Sequence, residues 1–122
     1  MRMWGVRPET LCDRHLLGEH GELHKFLHNW EKKHRIDGRI SGNAIEPSSY
    51  QARHDELAVE LARRGMNHRS PLAQPDFSYL PPEQLNFKID RNASFSLLVN
   101  RCPNCRSRAR RTQWPEPLRP QS

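Results

Sequence analysis

Long apolar runs, paired cysteines and a surplus of acid are all missing from this chain of 122 residues. Hydrophobic residues make up only 34% of it, and no run of about eighteen apolar residues could cross a bilayer. Glu9 and Asp13 arrive before the apolar stretch of a signal peptide could form. Three cysteines, an odd number, argue against a framework of disulfides. A soluble, cytoplasmic protein without a membrane partner is therefore expected.

Basic residues exceed acidic ones, with 20 Lys and Arg against 14 Asp and Glu and a net charge of +6. The excess gathers near the C-terminus, where residues 98–122 contain six arginines and a single acid, Glu116. This distribution favours a nucleic acid as partner over a tail that only solubilises the protein. No basic amphipathic helix accompanies the arginines, which disfavours a membrane surface.

The apolar pattern predicts an all-α fold, with three main helices, long irregular connections and a basic C-terminal tail. At this length one modest core can form, so a single compact domain is expected over residues 1–106. Residues 107–122, rich in Arg and Pro, are predicted to be a flexible tail. Pro8 and Glu9 suit the first turn of a helix, which is predicted over residues 8–34.

The other two helices follow segments that contain glycine or proline. Residues 35–50 are predicted to form a loop. The second helix is predicted over residues 48–64, with Gly65 as its C-terminal stop. The third is expected to begin at a cap supplied by Asp90 or Asn92.

The first helix aligns three ionisable residues. His15, Glu19 and Glu22 are spaced i, i+4 and i+7, so they lie along one stripe. The apolar residues that share the core arc are Leu16, Leu23, Phe26, Leu27 and Trp30. Glu19 falls within this arc, where a carboxylate must be paired or hydrogen-bonded, whereas Glu22 lies at its edge beside Lys25. Glu19 is therefore the structural candidate and Glu22 the catalytic one.

The side of this helix away from the core carries glycines and histidines. Gly18 and Gly21 cost about 1 kcal/mol each within a helix, and missing side chains would let DNA or protein approach closely. His20, His24 and His28 are spaced i, i+4 and i+8. Three solvated histidines are predicted here rather than a metal site.

Cys102 and Cys105 have the CxxC spacing of half a structural zinc site. A complete site needs two more ligands; Cys12 is the only other cysteine, and His68 or another histidine could contribute. The alternative is a pair of reduced thiols near the end of a helix. Beyond Pro103 the chain is predicted to be loop.

Two blocks of sequence together resemble a known family. Residues 11–23 have the sequence LCDRHLLGEHGEL, and residues 53–67 have the sequence RHDELAVELARRGMN; ASFS at 93–96 is a weaker echo. They resemble the pyrimidine-dimer DNA glycosylases, the phage endonuclease V type of base-excision enzyme, over residues 1–105. The resemblance implies a DNA glycosylase with AP-lyase activity that acts as a monomer on double-stranded DNA carrying a lesion. It implies no cofactor for catalysis.

The resemblance also assigns roles to residues. The nucleophile of the family is an N-terminal α-amine followed by an arginine, positions that Met1 and Arg2 fill here. Met1 should be retained, because removal of the initiator methionine normally needs a small second residue. The catalytic glutamate of the family falls on Glu22 and its substrate-contacting histidine on His15, while Lys25 keeps a basic position. A family arginine next to the glutamate is replaced here by a glycine, which puts the grip on dimer-containing DNA in question.

An α-amine suits this chemistry, since its reference pKa is near 8, against about 10.4 for lysine. Arg2 beside it should favour the neutral, nucleophilic form. The amine would attack the sugar C1′, and Glu22 would stabilise the cationic sugar and promote loss of a C2′ proton. Arg2 and Lys25, with the Arg53 and Arg64 region, are expected to hold DNA phosphates.

Two other functions remain open from the sequence. One is a non-catalytic DNA-binding protein that uses a CxxC zinc site and the basic tail. The other is a metal-dependent nuclease with His15, Glu19 and Glu22 as ligands. The nuclease would fail in EDTA, whereas the glycosylase would still work there.

Overall fold

A computed structural model describes residues 2–66 and 75–112, and within those ranges the chain is helical and contains no strand. The helices are α1 (Asp13–Glu31), α2 (Asp37–Ser41), α3 (Tyr50–Arg63), α4 (Pro82–Leu85), α5 (Arg91–Arg101) and α6 (Pro103–Arg111). Short 3-10 turns lie at Pro8–Thr10 and Pro47–Ser49. The predicted all-α class is confirmed. None of these helices is long and apolar enough to span a bilayer.

The helix predicted over 8–34 is divided into a 3-10 turn and α1. Leu11 and Cys12 separate them with extended backbone, at ψ angles of 135° and 166°. Leu11 is fully buried, and the Cys12 carbonyl accepts the amide of Leu16 at 2.8 Å, which starts α1. Tertiary burial of Leu11 thus overrides a continuous helical pattern.

Residues 35–50 are not a plain loop, since they contain α2 and the second 3-10 turn. Buried Ile36 anchors this segment, and its carbonyl accepts the amides of Arg39 and Ile40 at 3.0 Å. The end of α3 agrees with the prediction: Gly65 has a φ of +80°, a conformation that favours glycine.

The cap of the third predicted helix, α5, is confirmed as Asp90. Its carboxylate accepts the amide of Ala93 at 3.0 Å, which satisfies one of the free donors of the first turn.

The loop predicted after Pro103 is wrong, because this residue opens helix α6. Proline suits the first helical position, and the Cys102 sulfur caps the turn. Cys105 and Ala109, four residues apart, are buried on one side of a helix that is otherwise polar. The tail predicted over 107–122 therefore starts inside a helix; beyond Thr112 it lies outside the described residues.

The core lies mainly between α1 and α3. Trp30 of α1 packs edge-on against Tyr50 and Phe77, with ring centroids 5.7 and 4.9 Å away. The Tyr50 hydroxyl donates to the Leu23 carbonyl. Other fully buried side chains are Val6, Leu11, Leu16, Phe26, Ile45, Leu57, Leu61 and Leu98. This packing fixes the rotation of α1 and therefore which of its carboxylates faces inward.

Candidate active site

The N-terminal segment before the first 3-10 turn is fastened to two other parts of the molecule. The Met3 amide donates to the Ala44 carbonyl at 2.7 Å. The Ser94 hydroxyl, on α5, donates to the Trp4 carbonyl. Both Met3 and Trp4 are buried. The chain therefore enters the site in a fixed direction.

Arg2 is the first residue that the structure describes. Its Nη1 lies 3.4 and 3.3 Å from the carbonyl oxygens of Gly42 and Asn43. Its guanidinium carbon lies 5.2 Å from the centroid of the Trp4 ring, a cation–π distance. Met1, the predicted nucleophile, lies outside the described residues.

Glu19 is held in a buried ion pair, as its place in the core arc predicted. Its two oxygens accept Nε and Nη2 of Arg53 at 2.6 and 2.9 Å, a bidentate arrangement. The same guanidinium donates Nη1 to the Val6 carbonyl at 2.6 Å and to Glu56 at 2.7 Å. Burial, the largest single effect, lowers the pKa of Arg53, but the charges and hydrogen bonds of Glu19 and Glu56 together raise it above its ordinary value.

Glu22 has a different environment. Its side chain is 27% exposed, and Oε1 lies 3.8 Å from Nζ of Lys25, which is 71% exposed. Its other oxygen, Oε2, is shielded from solvent and has no hydrogen-bond partner within the ranges 2–66 and 75–112. Glu22 therefore retains acceptor capacity that Glu19 has already used.

Two of the predicted phosphate contacts are engaged inside the protein. Arg53 is 5% exposed and fully committed to the partners above. Arg64, 9% exposed, pairs with Glu60 at 2.7 Å and with Asp13 at 3.0 Å, and donates to the Pro8 carbonyl. Both arginines join α3 to the segment around the start of α1. Both guanidinium groups therefore have partners inside the protein, and their contact with DNA remains a prediction.

Arg101, at the end of α5, is a cation that the sequence reasoning did not select. Its side chain is exposed. Burial contributes most to a lowered pKa of Arg2, and the positive charge of Arg101 contributes next. The positive charge of Arg101 therefore acts on the guanidinium of Arg2. In the sequence, 99 residues separate them, and the only hint was the general excess of arginine near the C-terminus.

His15 lies next to the three cysteines. Its Nδ1 lies 3.3 Å from the Cys12 sulfur and 3.5 Å from the Cys105 sulfur. The sulfurs of Cys12 and Cys102 are 3.8 Å apart. Burial, followed by the charge of Arg14, lowers the pKa of His15 against the opposing effect of Glu19.

The predicted stripe of solvated histidines is wrong for His20, which is 2% exposed. His54 on α3, also buried, lies between His20 and His24, with ring centroids 4.7 and 4.8 Å away. Nε2 of His54 is 3.0 Å from Nε2 of His24. This histidine cluster forms because α3 supplies a third ring, which the periodicity of α1 could not reveal.

A family model described as pyrimidine dimer DNA glycosylase matches residues 1–74. The match covers more than half of the chain and includes Arg2, His15 and Glu22, but it stops before the CxxC motif and short of the predicted limit at residue 105. No curated protein and no solved structure gives a significant match. With α1 and its carboxylates inside the matched region, the chain belongs to the pyrimidine dimer DNA glycosylase family.

Proposed function

We propose that this protein excises pyrimidine dimers as a glycosylase and AP lyase, with the α-amine of Met1 as nucleophile and Glu22 as its carboxylate partner. The observation that carries the proposal is the shielded Oε2 of Glu22, which lacks a hydrogen-bond partner among the described residues. A buried acceptor left unsatisfied costs about 1–3 kcal/mol. A cationic sugar or a protonated imine beside this oxygen would recover that energy during the reaction.

The proposed chemistry has two stages. The lone pair of the amine bonds to C1′ of the damaged nucleotide, the C1′–N bond breaks, and the departing pyrimidine takes a proton. Loss of a proton from nitrogen and opening of the sugar ring leave an imine between the protein and C1′. Removal of a C2′ proton, promoted by Glu22, then expels the 3′ phosphate and cuts the strand. No step needs a metal ion or an oxidant.

Cationic side chains that are at least partly exposed would hold the DNA. Arg2 and Arg101 oppose each other electrostatically, and Lys25 is exposed beside Glu22. Phosphates placed between such groups would relieve their mutual repulsion. The nucleotide must leave the base stack to expose C1′, as is general for enzymes that act on bases. We expect the protein to act on duplex DNA as a monomer.

The ligands expected of a metal-dependent nuclease, His15, Glu19 and Glu22, do not form one cluster among the described residues. Glu19 is committed to Arg53 through both oxygens, and His15 points its Nδ1 at two sulfurs. Within the described ranges, neither group of side chains that could hold a metal includes Glu19 or Glu22. This arrangement disfavours metal-assisted hydrolysis by His15, Glu19 and Glu22.

Borohydride trapping tests the proposal directly. The untagged protein is mixed with a duplex that carries either a thymine dimer or an abasic site, in EDTA, and reduced. We expect a covalent protein–DNA adduct that disappears when the N-terminus is selectively acetylated. A protein with a short N-terminal extension serves as the second blocked form, and both are compared with the free form for DNA binding. Absence of an adduct on either lesion, with binding intact, would overturn the mechanism.

A further inference from the structure

The N-terminal ends of α1 and α6 lie close together, and each carries two side chains that could bind a metal ion. Cys12 stands at the N-cap position of α1 and His15 follows in its first turn, while Cys102 stands at the N-cap position of α6 and Cys105 follows in its first turn. One ligand atom from each of these four residues lies within 4.8 Å of the others. The motifs C-x-x-H and C-x-x-C, 90 residues apart in the sequence, thus form one cluster.

The distances within this cluster correspond to tetrahedral coordination. Zinc–sulfur bonds of about 2.3 Å and zinc–nitrogen bonds of about 2.0–2.1 Å would place two sulfurs about 3.8 Å apart, and a sulfur and a nitrogen about 3.6 Å apart. The Cys12 and Cys102 sulfurs are 3.8 Å apart. Nδ1 of His15 lies 3.3 and 3.5 Å from the sulfurs of Cys12 and Cys105. Three of the six ligand–ligand distances thus lie close to tetrahedral values, and the other three are within 4.8 Å.

The backbone around the sulfurs also fits thiolate ligands. The Cys12 amide points at the Cys105 sulfur at 3.2 Å, and the Cys105 amide at the Cys102 sulfur at 3.4 Å. Amide donors and the positive ends of two helices stabilise negative sulfur. All three cysteines are buried and none forms a disulfide. Three thiolates and a divalent ion leave one net negative charge, which these dipoles would offset.

We propose that Cys12, His15, Cys102 and Cys105 bind one Zn²⁺ through three sulfurs and Nδ1 of the histidine. Three thiol protons are released as the ion binds. Four protein ligands complete a tetrahedron and leave no open position for substrate, so the site is structural. Its effect is to tie the start of α1 to the start of α6.

This zinc site would also stabilise the N-terminal segment, which carries the proposed nucleophile. The His15 ring contacts the Trp4 ring edge-on at 5.8 Å, and Arg2 lies over Trp4. A metal on Nδ1 fixes both the tautomer and the orientation of His15, with the proton on Nε2. The inference of the zinc site does not depend on the proposed function. If that function holds, the substrate contact assigned to His15 would come from Nε2–H.

The experiment measures metal content and spectrum on the untagged full-length protein. We expect about one zinc ion per chain by mass spectrometry of the metal. Replacement by Co²⁺ should give intense sulfur-to-cobalt charge-transfer absorption and the visible bands of a tetrahedral ion. Cys105→Ser should weaken zinc binding by more than the roughly 10–100-fold that loss of an outer partner causes. His28→Gln, an exposed histidine of α1 outside both clusters, should bind zinc normally.

Three results would overturn the site. One is folded protein without metal whose three thiols all remain free after zinc is added. A second is a stable disulfide between Cys12 and Cys102 in protein purified under reducing conditions. The third is a cobalt complex without sulfur charge transfer that His54→Gln abolishes, which would assign the metal to the histidine cluster. If Cys105→Ser does not fold, zinc removal from the unaltered protein by a chelator should lower Tm, and zinc alone should restore it.

Discussion

Two carboxylates on α1, three residues apart, differ in burial and in hydrogen bonding. Glu19 is buried and gives both oxygens to Arg53 at 2.6 and 2.9 Å. Glu22 is partly exposed, has a long contact of 3.8 Å to Lys25, and keeps one shielded oxygen without a partner among the described residues. The same residue type on the same helix thus serves as an internal anchor in one place and offers an available acceptor in the other.

The difference follows from the angle of each side chain around the helix. Glu19 faces α3, whose Arg53 reaches it across the interface, whereas Glu22 is rotated by about 60° to the rim of the core. A carboxylate already paired with a guanidinium gains less when positive charge develops nearby, because the charge of Arg53 repels the new cation. An incompletely bonded one does gain, and this favours Glu22 for chemistry.

Glu22→Gln should have the largest effect. The amide cannot accept a proton or stabilise a cation as a carboxylate does, so strand cleavage should fall by about 10²–10⁴-fold. Single-turnover cleavage of an abasic duplex measures this, with unfolding and DNA affinity as controls. Glu31→Gln, at the exposed end of the same helix, is the matched charge control. Cleavage that survives in Glu22→Gln would remove this residue from the chemistry and erase the contrast with Glu19.

Glu19→Gln should chiefly change stability. Removal of one partner leaves the Arg53 charge buried, for which about 3–5 kcal/mol is typical, and Glu56 should keep the loss near the lower value. Urea unfolding at neutral pH gives the free energy of unfolding. Cleavage per folded molecule should be nearly unchanged. Full stability combined with lost cleavage would instead place Glu19 in the reaction.

A double variant separates pairing from packing. Glu19→Met alone strands Arg53, whereas Glu19→Met with Arg53→Met removes both charges. The double variant should therefore be more stable than Glu19→Met alone. It will not recover fully, because the Val6 carbonyl loses its donor at 2.6 Å. A double variant less stable than either single would mean that the two residues act independently.

The sequence was sufficient where local rules decide the structure. The helical angle placed Glu19 in the core arc, and the expense of burying a lone charge required a partner. Asp90 is the observed cap of α5, and Gly65 ends α3 with a positive φ. Each of these predictions depends on one helix and its nearest neighbours, and periodicity and capping describe such neighbourhoods well.

Partners supplied from distant parts of the chain could not be predicted. Arg53 looked like a phosphate contact because nothing in the sequence shows that it faces Glu19. Cys102 and Cys105 looked like half a site, since their neighbours Cys12 and His15 are 90 residues away. Helix α6 was missed for a different reason. Its buried side consists of Cys105 and Ala109, which is too little apolar surface for a periodic signal.

Glu60→Gln should have an intermediate effect that depends on pH. Hydrogen bonds from Arg63, reinforced by Arg64, hold the pKa of Glu60 below its ordinary value despite partial burial. Its ionised form therefore stabilises the fold above the unfolded pKa of about 4.3, and this contribution is lost as pH falls through the lower folded pKa. The variant should lose about 2 kcal/mol at pH 7.

The acid limb of unfolding checks this expectation. Plots of the free energy of unfolding against pH should converge for the two proteins as pH falls below the lowered folded pKa of Glu60. Glu56→Gln, which is 54% exposed on the same helix, is the comparison for an exposed acid. Curves that stay parallel across the acid range would show that Glu60 does not titrate differently in the folded state.

Gly21→Arg, at the position directly before Glu22, should have the smallest effect of these variants. A Cβ added at this position meets nothing within 4 Å, so the helix has room for the start of the arginine side chain that the family resemblance places here. Helix propensity should add up to about 1 kcal/mol to stability, and one new phosphate contact should steepen the salt dependence of DNA binding by about 0.9 in log–log slope. Gly21→Ala carries the propensity without the charge, and Gly38→Arg carries the charge on α2, where space is equally open. A steeper slope in Gly21→Arg alone would place DNA along the Glu22 edge of α1. Equal slopes in Gly21→Arg and Gly38→Arg would show that any added charge suffices. The duplex would then not lie along the edge of α1 that carries Glu22 and that Glu19 does not share.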